Sequence, residues 1–434
     1  MARSMARPSG TGSPAASDAA TSETAGAPWS RRHIGSLAGA FIVGFAIRLV
    51  LLPTEGLRGD IDQFVLWVHG IVVGGLPNAY DQDLSFPPVM VYIWSLLAAV
   101  EPAFASITDA SDPAIRVLMK LPATVADLGL ALVAAYALRR EPRWAAIAAA
   151  AILLHPAVID VSAWWGQYES VYLLPALVAV VLAINGRNAW AAAAIAISLM
   201  TKPQALPLLL PFAAWFWATG GWRELARATA IGAAVVVALW LPFIAHDGPA
   251  RYLQNLADYQ GGIFAVLSLR AWNVWWLVQE VAAGGAFVID DAPVLGPLTL
   301  RHVGYAITAV LELIVALAVI RSPTPRTLLL ALAASVLVAF TFLTSMHERY
   351  AYGAIIFLVV LIQDRRLRWL GIAFGVVTTL NLLAAVPPTT EIGRLLPVAG
   401  PLGVAGSLGM VAATAAALRE MTRKDDPRAS LAPT

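Results

Sequence analysis

Apolar runs of about twenty residues recur from Ile34 to near Arg419, and that repetition restricts the chain to one kind of fold. A bilayer core about 30 Å thick needs roughly 20 mostly apolar residues per helix, and backbone polar groups within it must be satisfied inside helices or closed barrels. Charged residues make up 13% of the 434, against roughly a quarter in a soluble domain. The sequence therefore predicts an all-α polytopic membrane protein and excludes a soluble globule.

Spans are expected near 34–53, 114–138, 144–161, 167–184, 188–201, 203–219, 227–245, 301–321, 326–345, 350–363, 369–386 and 397–419, about twelve in all. Lys202-Pro203 divides the stretch 188–219, because proline removes a helix hydrogen bond; one long tilted helix is the alternative. This order places Arg139, Arg140, Arg143, Arg187, Arg223, Arg227, Arg321, Arg326, Arg365, Arg366 and Arg368 on one side. By the positive-inside rule that side is cytoplasmic.

The stretch 1–33, rich in Ala, Ser, Gly and Pro, is expected to be a disordered cytoplasmic tail, followed by a transmembrane domain over 34–419 and a second cytoplasmic tail over 420–434. The first apolar run is too long for a signal-peptide core, and no clear small-residue cleavage site follows it. A multi-pass plasma-membrane protein with both termini inside is the expectation. Net charge is only +2, so no nucleic-acid surface is expected. The absence of cysteine removes disulfides, thiolate metal sites and cysteine nucleophiles.

Two long outer loops are predicted, 54–113 and 246–300. The first is acidic, with Asp60, Asp62, Asp81, Asp83, Glu101, Asp109 and Asp112. Within it Ile61, Phe64, Val65, Val68, Ile71 and Val72 recur at helical spacing, which predicts a helix lying at the membrane surface. Pro87 to Val100 is short for a span and reads as interfacial or re-entrant. The second loop carries LSLRAWNVWW, whose Trp272, Trp275 and Trp276 suit a headgroup-level aromatic belt.

Ionisable groups in or beside spans are costly, about 2.5–3.5 kcal/mol each at the bilayer centre on insertion scales. Asp60, Asp62, Lys120, Glu169, Lys202, His347, Glu348 and Arg349 all fall toward the outer side of the predicted topology, which suggests one hydrophilic chamber open to that side. In RGDIDQF, Asp60 and Asp62 sit two apart and point in different directions on a helix, so one is the candidate reactive carboxylate and the other supports. Asp60 could instead cap the following helix. In WWGQYES, Gln167, Tyr168 and Glu169 could line the chamber, with Trp164 and Trp165 in a belt. Lys202 needs an anionic partner or must snorkel. In SMHERY, His347 and Arg349 could hold phosphate, since the guanidinium fork matches phosphate oxygens; neutralisation of Arg349 by Glu348 is the alternative. Lys120 and Asp127, seven apart, could share one face of the second span.

Taken in order, RGDIDQF, SFPPVMVYI, MKLPATVADL, WGQYES, TKPQALPLLLP, LSLRAWNVWW and SMHERY resemble the GT-C superfamily of integral membrane glycosyltransferases. The likeness spans about residues 34–386. It is nearest to bacterial proteins related to GPI-anchor mannosyltransferases, with a second likeness to dolichyl-phosphate-glucose-dependent glucosyltransferases. The resemblance implies a polyprenyl-phosphate sugar donor, Asp60 as base, and His347 and Arg349 facing the donor phosphate. It implies transfer of one sugar, mannose as the leading choice, to a lipid, glycan or protein acceptor among the membrane lipids. The acidic dipeptide of some branches is here separated by Ile61, which leaves a divalent metal open.

A polyprenyl phosphate leaves readily once cations neutralise it, so one base suffices and a single displacement inverts the anomeric carbon. Lys202 would assist His347 and Arg349 with the departing phosphate, while Asp62, Gln167, Tyr168 and Glu169 support the site. A transporter or flippase for lipid-linked sugars, or a polysaccharide polymerase or ligase, is the competing class.

Overall fold

A computed structural model describes residues 28–262 and 264–423. Residues 1–27 of the expected first tail and 424–434 of the second lie outside the described residues. Helices follow one another as α1 Arg31–Leu51, α2 Arg58–Gly74, α3 Pro88–Val100, α4 Pro113–Ala137, α5 Pro142–Leu153, α6 Pro156–Ile159, α7 Glu169–Ile184, α8 Asn188–Leu199 and α9 Leu209–Ile244. They continue as α10 Gly248–Gly261, α11 Val274–Ala283, α12 Leu300–Arg321, α13 Pro325–Phe342, α14 Tyr352–Val360, α15 Arg365–Ala385, α16 Thr390–Leu395 and α17 Pro401–Met421. The tail predicted to begin at 420 is thus still helical at Met421.

Each predicted span carries helix, but span count is a matter of length. Among the described residues seven helices are long and apolar enough to cross a membrane, or eight if α5 and the bent continuation Pro156–Trp165 count as one. The expected twelve also needs short α7, α8 and α14, and a division of the Pro203–Ile244 stretch. That stretch does divide inside α9, where Gly221 takes φ 67° and ψ −165°. Lys202-Pro203 breaks the chain as expected: α8 stops at Leu199, and Pro203–Leu208 forms a 3-10 turn before α9.

Helix α13 explains how short helices survive in the interior. It is apolar on all sides, and every residue from Thr327 to Thr341 is buried. It packs against α12, α14 and α17 and shields the nine residues of α14, which could not span alone. By contrast α1 buries only Ala40, Gly44 and Arg48 along one stripe.

The first predicted loop folds into α2, α3 and two 3-10 turns against α4. Phe64, Trp67, Phe86, Trp94 and Tyr168 form tilted and edge-to-face pairs with ring centroids 5.1–6.0 Å apart, an arrangement that aromatic quadrupoles favour. In the second loop, β1 Ser268–Leu269 pairs in parallel with β4 Met346–His347, and β2 Pro293–Leu295 pairs with β3 Leu298–Thr299. The aromatic-belt expectation for LSLRAWNVWW fails here, because Trp272, Trp275 and Trp276 are buried. Trp272 Nε1 donates to the Val398 carbonyl and Trp275 Nε1 to that of Phe342, so these indoles tie the loop to the helices.

A buried ion pair locks α1 to α4. Arg48 Nε and Nη2 each lie 2.8 Å from Asp127 Oδ2, and Nη1 donates to the carbonyls of Gly44 and Leu153. Ser162 donates to Asp127 Oδ2 at 2.5 Å and Ser170 donates to Oδ1. Asp127 therefore holds both ends of the turn 162–170. Lys120 does not share this partner: its Nζ donates to the Thr54 carbonyl at 2.8 Å.

Candidate active site

The turn 162–170 is built from unusual backbone. Asp160–Trp165 winds as a π-helix, a form found mostly as short bulges and often at functional sites. Gly166 then takes φ 92° in the left-handed region, and a Cβ there would meet Lys120 Cγ at 2.9 Å. This reversal brings Trp165 and Gln167 onto the same acceptor. Trp165 Nε1 donates to Asp60 Oδ2 at 3.0 Å and Gln167 Nε2 donates to the same oxygen at 2.5 Å.

Asp60 comes from the first turn of α2. Its side chain is not the cap, because the N-cap residue is Leu57 and makes no side-chain hydrogen bond. Asp60 Oδ1 accepts from none of the described residues. The carboxylate sits at a helix N-terminus, where the macrodipole favours negative charge. Gly56, with φ 58°, lets the preceding loop lie against the Trp164 carbonyl, 2.1 Å from where a Cβ would stand. Asp62 points elsewhere: it pairs with Arg58 at 2.6 Å and accepts from the Ala110 amide at 2.7 Å.

Glu169 opens α7 and is buried. Lys202 Nζ lies 2.6 Å from its Oε1, and Arg349 Nε lies 3.3 Å from the same oxygen. Lys202 is 3% exposed, so it is paired inside the protein and does not snorkel. Its ammonium also stands 5.6 Å from the centre of the Phe86 ring, which places SFPPVMVYI beside TKPQALPLLLP. Arg349 Nη1 contacts Glu348 at 3.3 Å, and its guanidinium faces the Trp165 ring at 4.9 Å and Tyr350 at 5.4 Å. The expected Glu348–Arg349 contact is therefore real, yet it engages only one end of the fork.

His347 sits on β4, its Nδ1 3.9 Å from Glu348 and its ring edge-on to Phe264 and Tyr350. Burial holds its imidazole below the ordinary value, and the Arg349 charge acts in the same direction. The Ser345 turn that presents this loop has φ 61° and is anchored by its amide to the Val266 and Leu267 carbonyls. The Asp60 charge acts on Lys202, His347 and Arg349 alike, so the four groups occupy one electrostatic neighbourhood.

Of the sequence candidates, Asp60, Gln167, Glu169, Lys202, His347 and Arg349 come together. Asp62 does not join them, and Tyr168 is a correction. Its hydroxyl donates to the Met119 carbonyl and accepts from Trp94 Nε1, so it packs with the aromatic cluster behind the site. Two members have no counterpart among those candidates. Trp165 holds Asp60 where the sequence suggests a belt residue, and Asp160 is buried with Oδ2 unpartnered and within reach of the Glu348 charge.

Several buried polar atoms here form no hydrogen bond, although Arg349 Nε keeps its ion-pair contact with Glu169. Asp160 Oδ2, Glu169 Oε2, Gln204 Oε1, His347 Nε2 and Arg349 Nε are buried and form no hydrogen bond. Buried polar groups are nearly always satisfied, so a cluster of exceptions marks where a ligand's polar atoms belong. Among the described residues no group of three or more His, Cys, Asp or Glu side chains is placed to hold a metal ion. An apolar cavity of about 340 Å³ between α5, α14 and α15 is lined by none of these side chains.

The profile of the ALG6, ALG8 glycosyltransferase family matches residues 81–390, well over half of the sequence. The chain belongs to this family. It is accordingly a membrane glycosyltransferase of the GT-C superfamily that uses a lipid-linked donor. No curated protein matches the chain. The span matched by the ALG6, ALG8 family contains Gln167, Glu169, Lys202, His347 and Arg349 but begins after Asp60, whose place in the site rests on its contacts with Trp165 and Gln167.

Proposed function

We propose that this protein transfers one hexose from a polyprenyl-phosphate donor to an acceptor hydroxyl, with inversion, and that Asp60 is the general base. The observation that carries the reading is the geometry of Asp60: two donors hold Oδ2, and Oδ1 is left for an acceptor hydroxyl. Trp165 and Gln167 orient the carboxylate, and deprotonation of the hydroxyl accompanies its attack on the anomeric carbon. Across the site Arg349, Lys202 and His347 stabilise the departing phosphate. Glu169 and Glu348 hold these cations apart and pre-oriented when the donor is absent.

The site faces the extracytoplasmic side in this reading, with both termini cytoplasmic. Support comes from the arginines at the opposite helix ends, Arg139, Arg140, Arg143 and Arg187, and the positive-inside rule. Between the two hexoses, the family match weights glucose, while the likeness to GPI-anchor mannosyltransferases weights mannose. The acceptor is a lipid, glycan or protein hydroxyl reached from the same side.

The test is transfer by the purified protein in vesicles, with labelled polyprenyl-phosphate glucose and polyprenyl-phosphate mannose offered separately with extracted envelope lipids. Transfer from one of them, lost in Asp60→Asn, is the expected result. Absence of transfer from both donors, with the protein shown to be folded, would overturn the reading.

A further inference from the structure

Helices α4 and α7 both start near the Asp60 cluster, and their opposite ends enclose a slot of about 850 Å³. Helix α4 contributes Leu132 and Tyr136, with Arg139 just beyond its end, and α7 contributes Val178 and Leu182, with Arg187 just beyond its end. Leu132 and Tyr136 on α4, like Val178 and Leu182 on α7, stand four residues apart, so each helix presents a single face. Leu132 and Tyr136 are 57% and 51% exposed, which leaves the side of the slot open toward the surrounding lipid. Along α7 the slot begins at Val178, nine residues and roughly 14 Å from Glu169, and its mouth lies roughly 24 Å away at the helix end.

The mouth of the slot is cationic by construction. Beyond the Asn185 cap of α7, Gly186 takes φ 70°; the Gly186 amide returns to the Ala183 carbonyl at 3.0 Å and the Arg187 amide to that of Leu182 at 2.8 Å. This glycine stop carries Arg187 back across the last turn. Arg139 lies over the Tyr136 ring at 4.1 Å and donates from Nη1 to the Tyr136 carbonyl, while its other guanidinium nitrogens bond no described residue. Neither Arg139 nor Arg187 meets a carboxylate among the described residues, and Glu224, which lies beside Asn188, is paired with Arg227.

We propose that this slot holds one anionic glycerophospholipid, its phosphate between Arg139 and Arg187 and an acyl chain along Leu132, Tyr136, Val178 and Leu182. The apolar walls need a hydrocarbon occupant, and the arginine forks match phosphate oxygens bidentately. A free phosphate leaves the walls uncovered. A zwitterionic headgroup brings its own cation to an already cationic mouth, whereas basic pockets between membrane helices take anionic headgroups. The volume falls within the range of about 300–1,000 Å³ typical of small-molecule sites, enough for a headgroup and the upper part of one chain.

The full-length protein, reconstituted in phosphatidylcholine vesicles, would be photolabelled with phosphatidylglycerol or phosphatidylcholine carrying the same acyl-chain diazirine. Peptides covering 132–139 and 178–187 should be labelled about tenfold more by phosphatidylglycerol. Unlabelled phosphatidylglycerol should compete, and excess inorganic phosphate should not. The headgroup preference should disappear in Arg139→Ala/Arg187→Ala and survive in part in Arg139→Lys/Arg187→Lys. Equal labelling by the two lipids, competition by phosphate as strong as by lipid, or a preference that persists in the folded double-alanine protein would each overturn the proposal. The first two comparisons use the unaltered protein, so they decide the matter even if the double-alanine variant does not fold.

Discussion

Two buried polar centres flank the turn 162–170, and their chemistry is nearly the same. Around Asp127, an arginine, two serine hydroxyls and Tyr352 surround a carboxylate, and both of its oxygens accept hydrogen bonds. Around Asp60, an indole and an amide hold one oxygen, and Glu169, Lys202, His347 and Arg349 gather beside it with several polar atoms unpartnered. Residue type does not distinguish the two, since each pairs carboxylate with arginine, although Asp127 is the more deeply buried. Saturation of the carboxylate does: both Asp127 oxygens are taken, and Arg48 Nη2, which makes no hydrogen bond of its own, is already 2.8 Å from one of them, whereas Asp60 Oδ1, Glu169 Oε2 and His347 Nε2 have no partner among the described residues.

The sharpest way to break this comparison is to remove the basic carboxylate while keeping its shape. Asp60→Asn preserves an acceptor for Trp165, and α2 does not depend on Asp60 as its cap. Turnover should fall by about 10²–10⁴, the usual worth of a general base, with little change in unfolding. Turnover per folded molecule near that of the parent would remove Asp60 from the chemistry.

The saturated centre should respond in the opposite way. Asp127→Ala leaves Arg48 buried without its counter-charge, which typically costs about 3–5 kcal/mol of stability. Unfolding in detergent reads this directly. Donor affinity of whatever fraction remains folded should be nearly unchanged. A large rise in donor KM without loss of stability would mean that the Asp127 centre also binds ligand.

Arg349→Lys probes the unsaturated centre more finely. Lysine keeps the charge but loses the planar fork that reaches Glu169 and Glu348 while facing Trp165. Donor KM should rise about tenfold, equivalent to about 1.4 kcal/mol, and acceptor KM should move far less. Equal changes in both, accompanied by a lower unfolding midpoint, would mean that Arg349 is only a structural ion pair.

What the sequence makes legible follows from the same physics. Lys202, Glu169 and Arg349 stand out because charge in apolar sequence is expensive, and the structure joins them in one ion-pair network. Helix positions follow from apolar run length, and the break at Lys202-Pro203 follows from proline. Trp165 is not legible, because an indole near a span end can serve a belt or donate a hydrogen bond, and its partner Asp60 lies 105 positions away. Tyr168 is misread for the complementary reason. It sits between two site residues in WGQYES, yet the turn at Gly166 sends its ring into the aromatic cluster. The LSLRAWNVWW string has belt composition, but its indoles find backbone carbonyls on Phe342 and Val398, which local sequence does not encode.

The smallest expected effect belongs to Asp62→Asn, and it separates the two acidic residues of RGDIDQF. Asp62 forms an i,i+4 pair with Arg58, both side chains being 32% exposed, and its Oδ1 accepts the Ala110 amide. Asparagine can still accept that amide, so only the ion pair is lost. Solvent-exposed pairs of this kind contribute about 0.3–0.5 kcal/mol, and half-burial here changes that little. Turnover should therefore stay within about twofold of the parent, since Asp62 lies outside the group formed by Asp60, Glu169, Lys202, His347 and Arg349. Measured beside Asp60→Asn and normalised to folded protein, this variant ranks the two carboxylates. A larger loss in Asp62→Asn than in Asp60→Asn would transfer the base to Asp62. It would also imply that Arg58 releases Asp62 on acceptor binding, which Arg58→Gln would then mimic by raising turnover at low acceptor concentration.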